Sequence, residues 1–161
     1  MPSTYEPIAT STLGSNQTTV TFSSIAGTYT DIIVVIDATS TGDNVLARVN
    51  GDTGNNYSFT RLSGNGTSAT SARGSNTNYL NFDGAAYLTT GRSTWVIQFM
   101  NYSNTTTNKT IISRGNNAAV GVDANINLWR STSAITSISF IATSNAYQTG
   151  STFTLYGVKN A

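Results

Sequence analysis

The stretch Asp31-Ile-Ile-Val-Val-Ile-Asp-Ala38 contains the longest β-branched apolar run of the chain, five residues between two aspartates. Five apolar residues are too few to cross a membrane, and their order carries no helical stripe. Ile and Val favour a pleated strand because branching at Cβ restricts their side-chain torsion. Since apolar residues occupy both faces of this run, the sequence predicts a central strand that is covered on both sides.

A second strand of the same kind is expected further along the chain. It places Trp95, Ile97 and Phe99 on one face, with Val96 and Met100 on the other. About ten such strands follow at short spacing, with turn residues between them and no convincing helical stripe. The pattern predicts an all-β fold, a jelly-roll-like sandwich of antiparallel strands, and a length of 161 residues suits one domain over residues 1–161.

Three segments are harder to place. Residues 118–130 contain two short apolar pairs, which we interpret as a strand with a kink at residues 123–125. Residues 62–78 combine three glycines with Ser, Thr, Ala and Asn, and their length favours a functional surface loop or a flap. Residues 1–12 contain both prolines of the chain, which indicates either an edge strand or an N-terminal arm.

The composition excludes several classes of function. The chain has no Cys and no His, so thiolate metal sites and His-based catalytic triads are absent. Charged residues make up 9% of the chain and the net charge is +1, with the basic residues scattered singly, which argues against nucleic-acid binding. The N-terminus lacks the basic and apolar regions of a signal peptide, and no stretch predicts a membrane span.

The few acidic residues do not form a catalytic pattern. Asp31 and Asp37 share one face of the central strand but lie roughly 20 Å apart, too far for a glycosidase carboxylate pair. Residues 52–56 and 123–127 offer oxygen ligands, yet the twelve-residue calcium loop is missing, so we interpret both as polar turns. The sequence therefore predicts a non-enzymatic protein without cofactor or metal.

Four tyrosines lie next to expected loops and have two interpretations. Exposed aromatic rings at the ends of a sandwich can stack on sugars or fill a protein interface. The alternative is that they close the ends of the core, where large rings bury much area. The residues are Tyr57, Tyr79, Tyr102 and Tyr147.

Four stretches, taken in their order, span nearly the whole chain. They are FSSIAGTYTD at 22–31, RVNGDTGNNYS at 48–58, NYSNTTTNKT at 101–110, and WRSTSAITSI at 129–138 with the ending GSTFTLYG at 150–157. In this order they resemble a family of small structural proteins of tailed bacteriophages. The resemblance implies a virion component, either a capsid decoration (cement) protein or part of a fibre, and it implies no catalytic residues.

The expectation that follows is a decoration protein on the outer surface of the phage particle, which binds and stabilises the capsid shell. A homotrimer is predicted because closure into an oligomer protects the edges of sheets, and a low charge lets copies pack closely. The major capsid protein is the expected partner, and the alternative is a fibre or receptor-binding module that recognises host-surface carbohydrate. The candidate capsid contacts, taken from the N-terminal arm and the 62–78 loop, are Tyr5, Pro7, Leu62 and Arg73.

Overall fold

The computed structural model describes residues 4–85 and 87–159, and these residues form two antiparallel β-sheets without any helix. Twelve strands occur in this described part of the chain. They are β1 (Tyr5–Thr12), β2 (Thr19–Phe22), β3 (Asp31–Ala38), β4 (Leu46–Val49), β5 (Tyr57–Gly64), β6 (Ala69–Thr77), β7 (Leu80–Asn81), β8 (Ser93–Met100), β9 (Lys109–Asn117), β10 (Gly121–Trp129), β11 (Ile138–Ile141) and β12 (Thr152–Val158).

The strands divide unevenly between the two sheets. The large sheet has eight strands in the order β1-β12-β3-β8-β9-β10-β5-β6, and the small sheet has four in the order β2-β11-β4-β7. The predicted all-β sandwich of antiparallel strands is confirmed. A division into eight and four strands does not establish the jelly-roll order, which stays a prediction.

The core lies between the two sheets. On the large sheet it contains the inward residues of β3 and β8, among them Ile36, Trp95 and Phe99, all fully buried. The small sheet contributes Phe140, whose ring centroid lies 5.6 Å from that of Phe153 on β12. The alternation predicted for β8 is confirmed, since its odd-numbered residues are buried.

The central strand β3 differs from its prediction in one respect. Its even-numbered residues are fully buried, but Ile33 and Val35 are only half-buried, because the second sheet covers one side of the large sheet. We call the other side of the large sheet the outer face. The predicted two-sided cover is therefore wrong within a single copy, and the apolar side chains on the outer face of β3 need another explanation.

The predicted loop at residues 62–78 is also wrong, because these residues complete a hairpin. β5 pairs with β6, and a four-residue turn joins them. In the turn, the Asn65 side-chain oxygen accepts hydrogen bonds from the backbone N–H groups of Thr67 (3.1 Å) and Ser68 (2.9 Å). Gly66 has a φ of 87°, which suits glycine. Because β6 is an edge strand without a buried face, its polar sequence lacks the apolar alternation that marks a half-buried strand.

The N-terminal segment forms an edge strand, which was the first of the two structures predicted for it. β1 pairs with β12 over its whole length, with a bulge between Pro7 and Ala9. A Pro is tolerated here because an edge strand has an unpaired side. The first three residues of the predicted arm lie outside the described residues.

Candidate interaction surface

Large apolar side chains cluster on the outer face. Exposed fractions are 63% for Leu62, 56% for Val122, 52% for Ile126, 43% for Leu128 and 42% for Ile112. Single exposed apolar residues are ordinary, but these five project from three adjacent strands, β9, β10 and β5. Neighbouring exposed apolar residues of this kind make the outer face a candidate interaction surface.

Strand β10 explains how this patch arises, because its polar side faces the core and its apolar side faces outward. Val122, Ile126 and Leu128 point outward, whereas Asp123 and Asn127 point into the sandwich and are buried. The strand is continuous and pairs with both neighbours without a register shift, so the predicted kink at residues 123–125 is wrong. A slip of one residue would bury the apolar set. The observed register therefore needs a specific cause.

The cause is that the inward side chains of β10 bind the backbone of residues 81–85. The Asn127 side-chain amide accepts from the N–H of Asn81 and donates to its carbonyl, both at 2.8 Å. Asn125 Nδ2 donates to the carbonyl of Phe82 at 2.9 Å. These side chains satisfy buried backbone groups that would otherwise carry a desolvation cost.

Asp123 continues the same arrangement one step further along β10. Its carboxylate accepts from the N–H groups of Gly84 (2.8 Å) and Ala85 (3.0 Å). We call Asp123, Asn125 and Asn127 the amide ladder, since they bind successive backbone groups as a partner strand would. The ladder fixes the polar side of β10 inward and leaves its apolar side on the outer face.

The only carboxylic acid of the 81–85 segment, Asp83, is buried beside the ladder. Its Oδ2 accepts from the N–H of Val45 at 2.7 Å, and Arg61 Nη1 donates to its backbone carbonyl at 2.7 Å. Burial raises the pKa of Asp83 to about 7, with the nearby Asp123 carboxylate adding to the effect. A raised pKa can indicate a catalytic acid, but this group is enclosed by the core, where it anchors the chain.

The other stretch that offers oxygen ligands, residues 52–56, uses them in hydrogen bonds within the protein. The Asp52 carboxylate accepts from Trp129 Nε1 at 2.7 Å, from the N–H of Gly54 at 2.8 Å and from Asn56 Nδ2 at 3.0 Å. Burial opposes ionisation, but these donors outweigh it and lower the pKa of Asp52. Among the described residues, no three acidic side chains lie close enough to hold a metal ion.

The outer face is concave in part as well as apolar. A groove of about 720 Å³ crosses six strands, from Tyr5 on β1 to Ala124 on β10, and its floor is formed by half-buried residues such as Ile33, Val35 and Val96. Beside it, β10 carries the more exposed side chains of Val122, Ile126 and Leu128, which we call the ridge. Groove and ridge therefore lie on one face and meet at β10.

Charge is distributed asymmetrically on the outer face. Asp31 and Asp37 stand at the two ends of β3, and Arg114 projects from β9 on the far side of β8. Asp37 pairs with Arg92 at 3.3 Å, and Asp31 accepts from Gln98 at 2.7 Å. Within the described residues Arg114 has no hydrogen-bond or ion-pair partner, although its side chain is exposed at the centre of an apolar surface.

The four predicted capsid-contact residues all map to the outer face. Register pairs each of them with a residue that points outward: Tyr5 with Val158, Pro7 with Tyr156, Leu62 with Ala124, and Arg73 with Thr60. Tyr5 and Pro7 lie at the β1 edge, and Leu62 and Arg73 lie toward the β6 edge. These four residues therefore lie at the two margins of the ridge and groove. Sequence reasoning did not identify the ridge and groove themselves.

The predicted sugar-binding aromatics do not form a site. Tyr57, Tyr102 and Tyr147 are fully buried, and Tyr79 is half-buried. The Tyr57 hydroxyl donates to the carbonyl of Asp52 at 2.9 Å, and the Tyr102 hydroxyl donates to the carbonyl of Ala26. The sugar-binding interpretation is wrong for these three, because their rings fill the ends of the core.

Comparison with known proteins finds no matching family model, no matching curated protein and no matching solved structure. The resemblance to phage structural proteins therefore stays a prediction. Within residues 4–85 and 87–159, no helix is long and apolar enough to cross a membrane.

Proposed function

We propose that this chain is a non-enzymatic structural subunit that acts by assembly, and specifically a capsid decoration protein on the outer surface of a phage particle. The observation that supports assembly is the outer face, where the register of β10 exposes Val122, Ile126 and Leu128. The phage role depends on the sequence resemblance alone, with the major capsid protein as the partner and a homotrimer as the predicted stoichiometry.

The outer face supports assembly because its exposed apolar side chains lie together on one side of the sheet and are not isolated residues. β3 and β10 both carry apolar residues there, in a sheet whose other side already packs on a core. An antiparallel sheet with one side in water normally shows polar residues on that side. The apolar outer side therefore supports the proposal that a protein surface covers it after assembly.

Low charge supports the same proposal. With 9% charged residues, neighbouring copies repel little when they pack side by side. The two edges of the large sheet carry features that oppose uncontrolled pairing, Pro7 on β1 and the exposed Arg73 on β6. Assembly through a sheet face, with the edges protected, yields a limited oligomer instead of a fibril.

The test is to mix the purified protein with phage shells that lack their decoration protein, and to image them by cryo-electron microscopy. We expect added density over the shell with threefold symmetry. Arg73→Glu, at a candidate capsid contact, should weaken this binding, and Thr19→Glu, an exposed position on the small sheet, should not. Bare shells at saturating protein concentration would overturn the decoration role.

A further inference from the structure

We propose that the groove on the outer face binds an extended segment of a partner protein, with a carboxylate that pairs with Arg114 and apolar side chains on either side of it. The inference rests on the proposed function for the identity of this partner. On that basis the segment belongs to the major capsid protein, and each copy of the predicted homotrimer binds one.

Arg114 lies in the middle of an otherwise apolar row that crosses the outer face. The strand pairings place five residues side by side, in the order Val35, Val96, Arg114, Ala124 and Leu62. In the described part of the chain the Arg114 guanidinium has no hydrogen-bond or ion-pair partner. An exposed cation in apolar surroundings is complementary to a partner that brings a carboxylate and apolar side chains together.

The row lies in a depression that continues on both sides of Arg114. The groove of about 720 Å³ reaches Ala124, and a second concavity of about 600 Å³ begins at Ala124 and contains Leu62. The small side chain of Ala124 leaves a gap in the ridge between Val122 and Ile126. A ligand that crosses this gap contacts apolar residues before and after Arg114.

The width of the groove favours an extended chain. Its floor consists of two rows of outward side chains, one with Val35 and Val96 and the other with Ile33 and Gln98. Such rows are about 6.6 Å apart, because alternate residues of a strand share a side. An α-helix with its side chains is about 10–12 Å across, which is too wide for this floor.

The position of the charge favours a peptide over a fatty acid. A fatty acid carries its carboxylate at one end, so it covers the apolar row on only one side of Arg114. A peptide carries Asp or Glu anywhere along its length. Four strand spacings from β3 to β5 amount to about 19 Å, or about six residues of an extended chain. We therefore expect the acidic residue near the middle of the segment.

Polar groups along the groove provide partners for a peptide backbone. Gln98 Nε2 donates to Asp31 Oδ2 at 2.7 Å, which fixes the amide and leaves its oxygen as an acceptor. Tyr156 lines the same groove, and its hydroxyl forms no hydrogen bond within the described residues. A few polar groups on a mainly apolar floor are typical of a specific binding site.

The first experiment uses a synthetic peptide of about nine residues, long enough to cover the row. It has glutamate at its centre, leucine at the other odd positions and serine between them, with both termini blocked. Fluorescence anisotropy measures its binding to the wild-type protein. Replacing the glutamate by glutamine should weaken binding about ten-fold, since the charge-assisted pair is lost. No binding, or equal binding of the two peptides, would overturn the inference.

A charge exchange shows whether Arg114 makes the contact. Arg114→Glu should lose affinity for the glutamate peptide and gain affinity for the matching lysine peptide, whereas a damaged fold would bind neither. Val96→Tyr, which fills the floor, should weaken binding of the glutamate peptide at least about ten-fold. Thr19→Tyr, at an exposed position on the small sheet, is the matched control and should not. Unchanged binding by Val96→Tyr would place the peptide elsewhere and contradict the inference.

Dodecanoate provides the comparison with an acyl ligand. At equal concentration it should not displace the glutamate peptide. If dodecanoate displaces the peptide and Arg114→Glu abolishes its binding, the groove is a site for lipid anions and the inference is wrong.

Phage shells separate this inference from the proposed function. If the wild type and Arg114→Glu bind shells equally, the decoration role stands and the groove is not the contact. If the charge exchange succeeds with peptides but the wild type leaves shells bare, the groove binds acidic segments and the decoration role is overturned.

Discussion

The inner side of the large sheet is built in two different ways, and this difference accounts for the apolar residues on its outer face. At β3 and β8 the inward side chains are apolar and pack on the small sheet, among them Ile36, Trp95 and Ile97. At β10 the inward side chains are the amide ladder, which binds the backbone of residues 81–85. The apolar half depends on contact area, and the polar half depends on side-chain hydrogen bonds to the backbone, with Asn125 Oδ1 left buried without a partner.

The inward side of β10 therefore contributes hydrogen bonds to the core and not hydrophobic burial. Its apolar residues are therefore free to point outward. The large apolar side chains lie on the outer face because the polar side chains of β10 occupy its inward side.

The largest expected effect comes from removing bulk in the apolar half. Trp95→Ala should lower the free energy of unfolding by about 4 kcal/mol, because the buried ring is lost and a cavity remains. Its Nε1 also donates to the carbonyl of Phe82 at 3.0 Å. Urea denaturation measures the loss, and Trp95→Phe, which keeps most of the bulk, should cost clearly less. Equal costs would mean that the hydrogen bond, and not packing, dominates this half.

The polar half should respond almost as strongly to a much smaller change. Asn127→Ala should cost about 3 kcal/mol, since it leaves the N–H and carbonyl of Asn81 buried without partners. The control is Asn116→Ala on β9, an exposed position of the same sheet, which should stay within about 0.5 kcal/mol. A loss below about 1 kcal/mol for Asn127→Ala would show that water replaces the amide and that the ladder is not required.

The third prediction concerns pH and Asp83. Its pKa in the folded state is raised from an ordinary 3.8 to about 7, so the folded protein holds the proton more tightly. This contribution to stability is fully present below about pH 4, declines as pH rises toward 7, and is lost above that. Between pH 5 and pH 8 the decline should be on the order of 2 kcal/mol.

Asp83→Asn should remove most of this decline, because an amide does not ionise and its oxygen can still accept from Val45. Unfolding free energies of both proteins at pH 5 and pH 8 provide the measurement. If the wild type and the variant lose stability in parallel, another group is responsible.

The smallest effect is expected on the outer face itself. Leu62→Thr, at a position that is 63% exposed, should change the stability of a single copy by less than about 0.5 kcal/mol. The measurement is denaturation at a concentration low enough to keep the protein monomeric. A loss near 2 kcal/mol would show that this side chain packs within one copy, which would contradict its assignment to an assembly surface.

The parts that the sequence predicts well are those where burial and pattern coincide. The run in β3 and the alternation in β8 both specify strands, since period two and β-branching point to the same structure. The pattern also contains the outer face in part, since Ile33 and Val35 make β3 apolar on the side that the small sheet does not cover.

The errors arise where polar residues, which favour turns, lie in strands. Asp123-Ala-Asn125 resembles a turn because Asp and Asn bond the backbone in turns, and here they bond the backbone of another segment. The alternation of seven residues from Val122 to Leu128 is a strand signal that could have identified β10 whichever side faces the core. Residues 62–78 could not be recognised, since an edge strand without a buried side has no apolar period.

The amide ladder also constrains the order in which the chain folds. Its hydrogen bonds join residues 38 to 46 positions apart, and the segment 81–85 precedes β10 in the chain. During synthesis this segment leaves the ribosome before residues 121–129, so the backbone groups that the ladder binds lack these partners until β10 follows, although the segment can already pair with β4. Contacts at such separation form slowly, because a long loop must close before they contribute. We therefore expect β10 to dock on residues 81–85 late in folding, and its inward amides to stay hydrated until then.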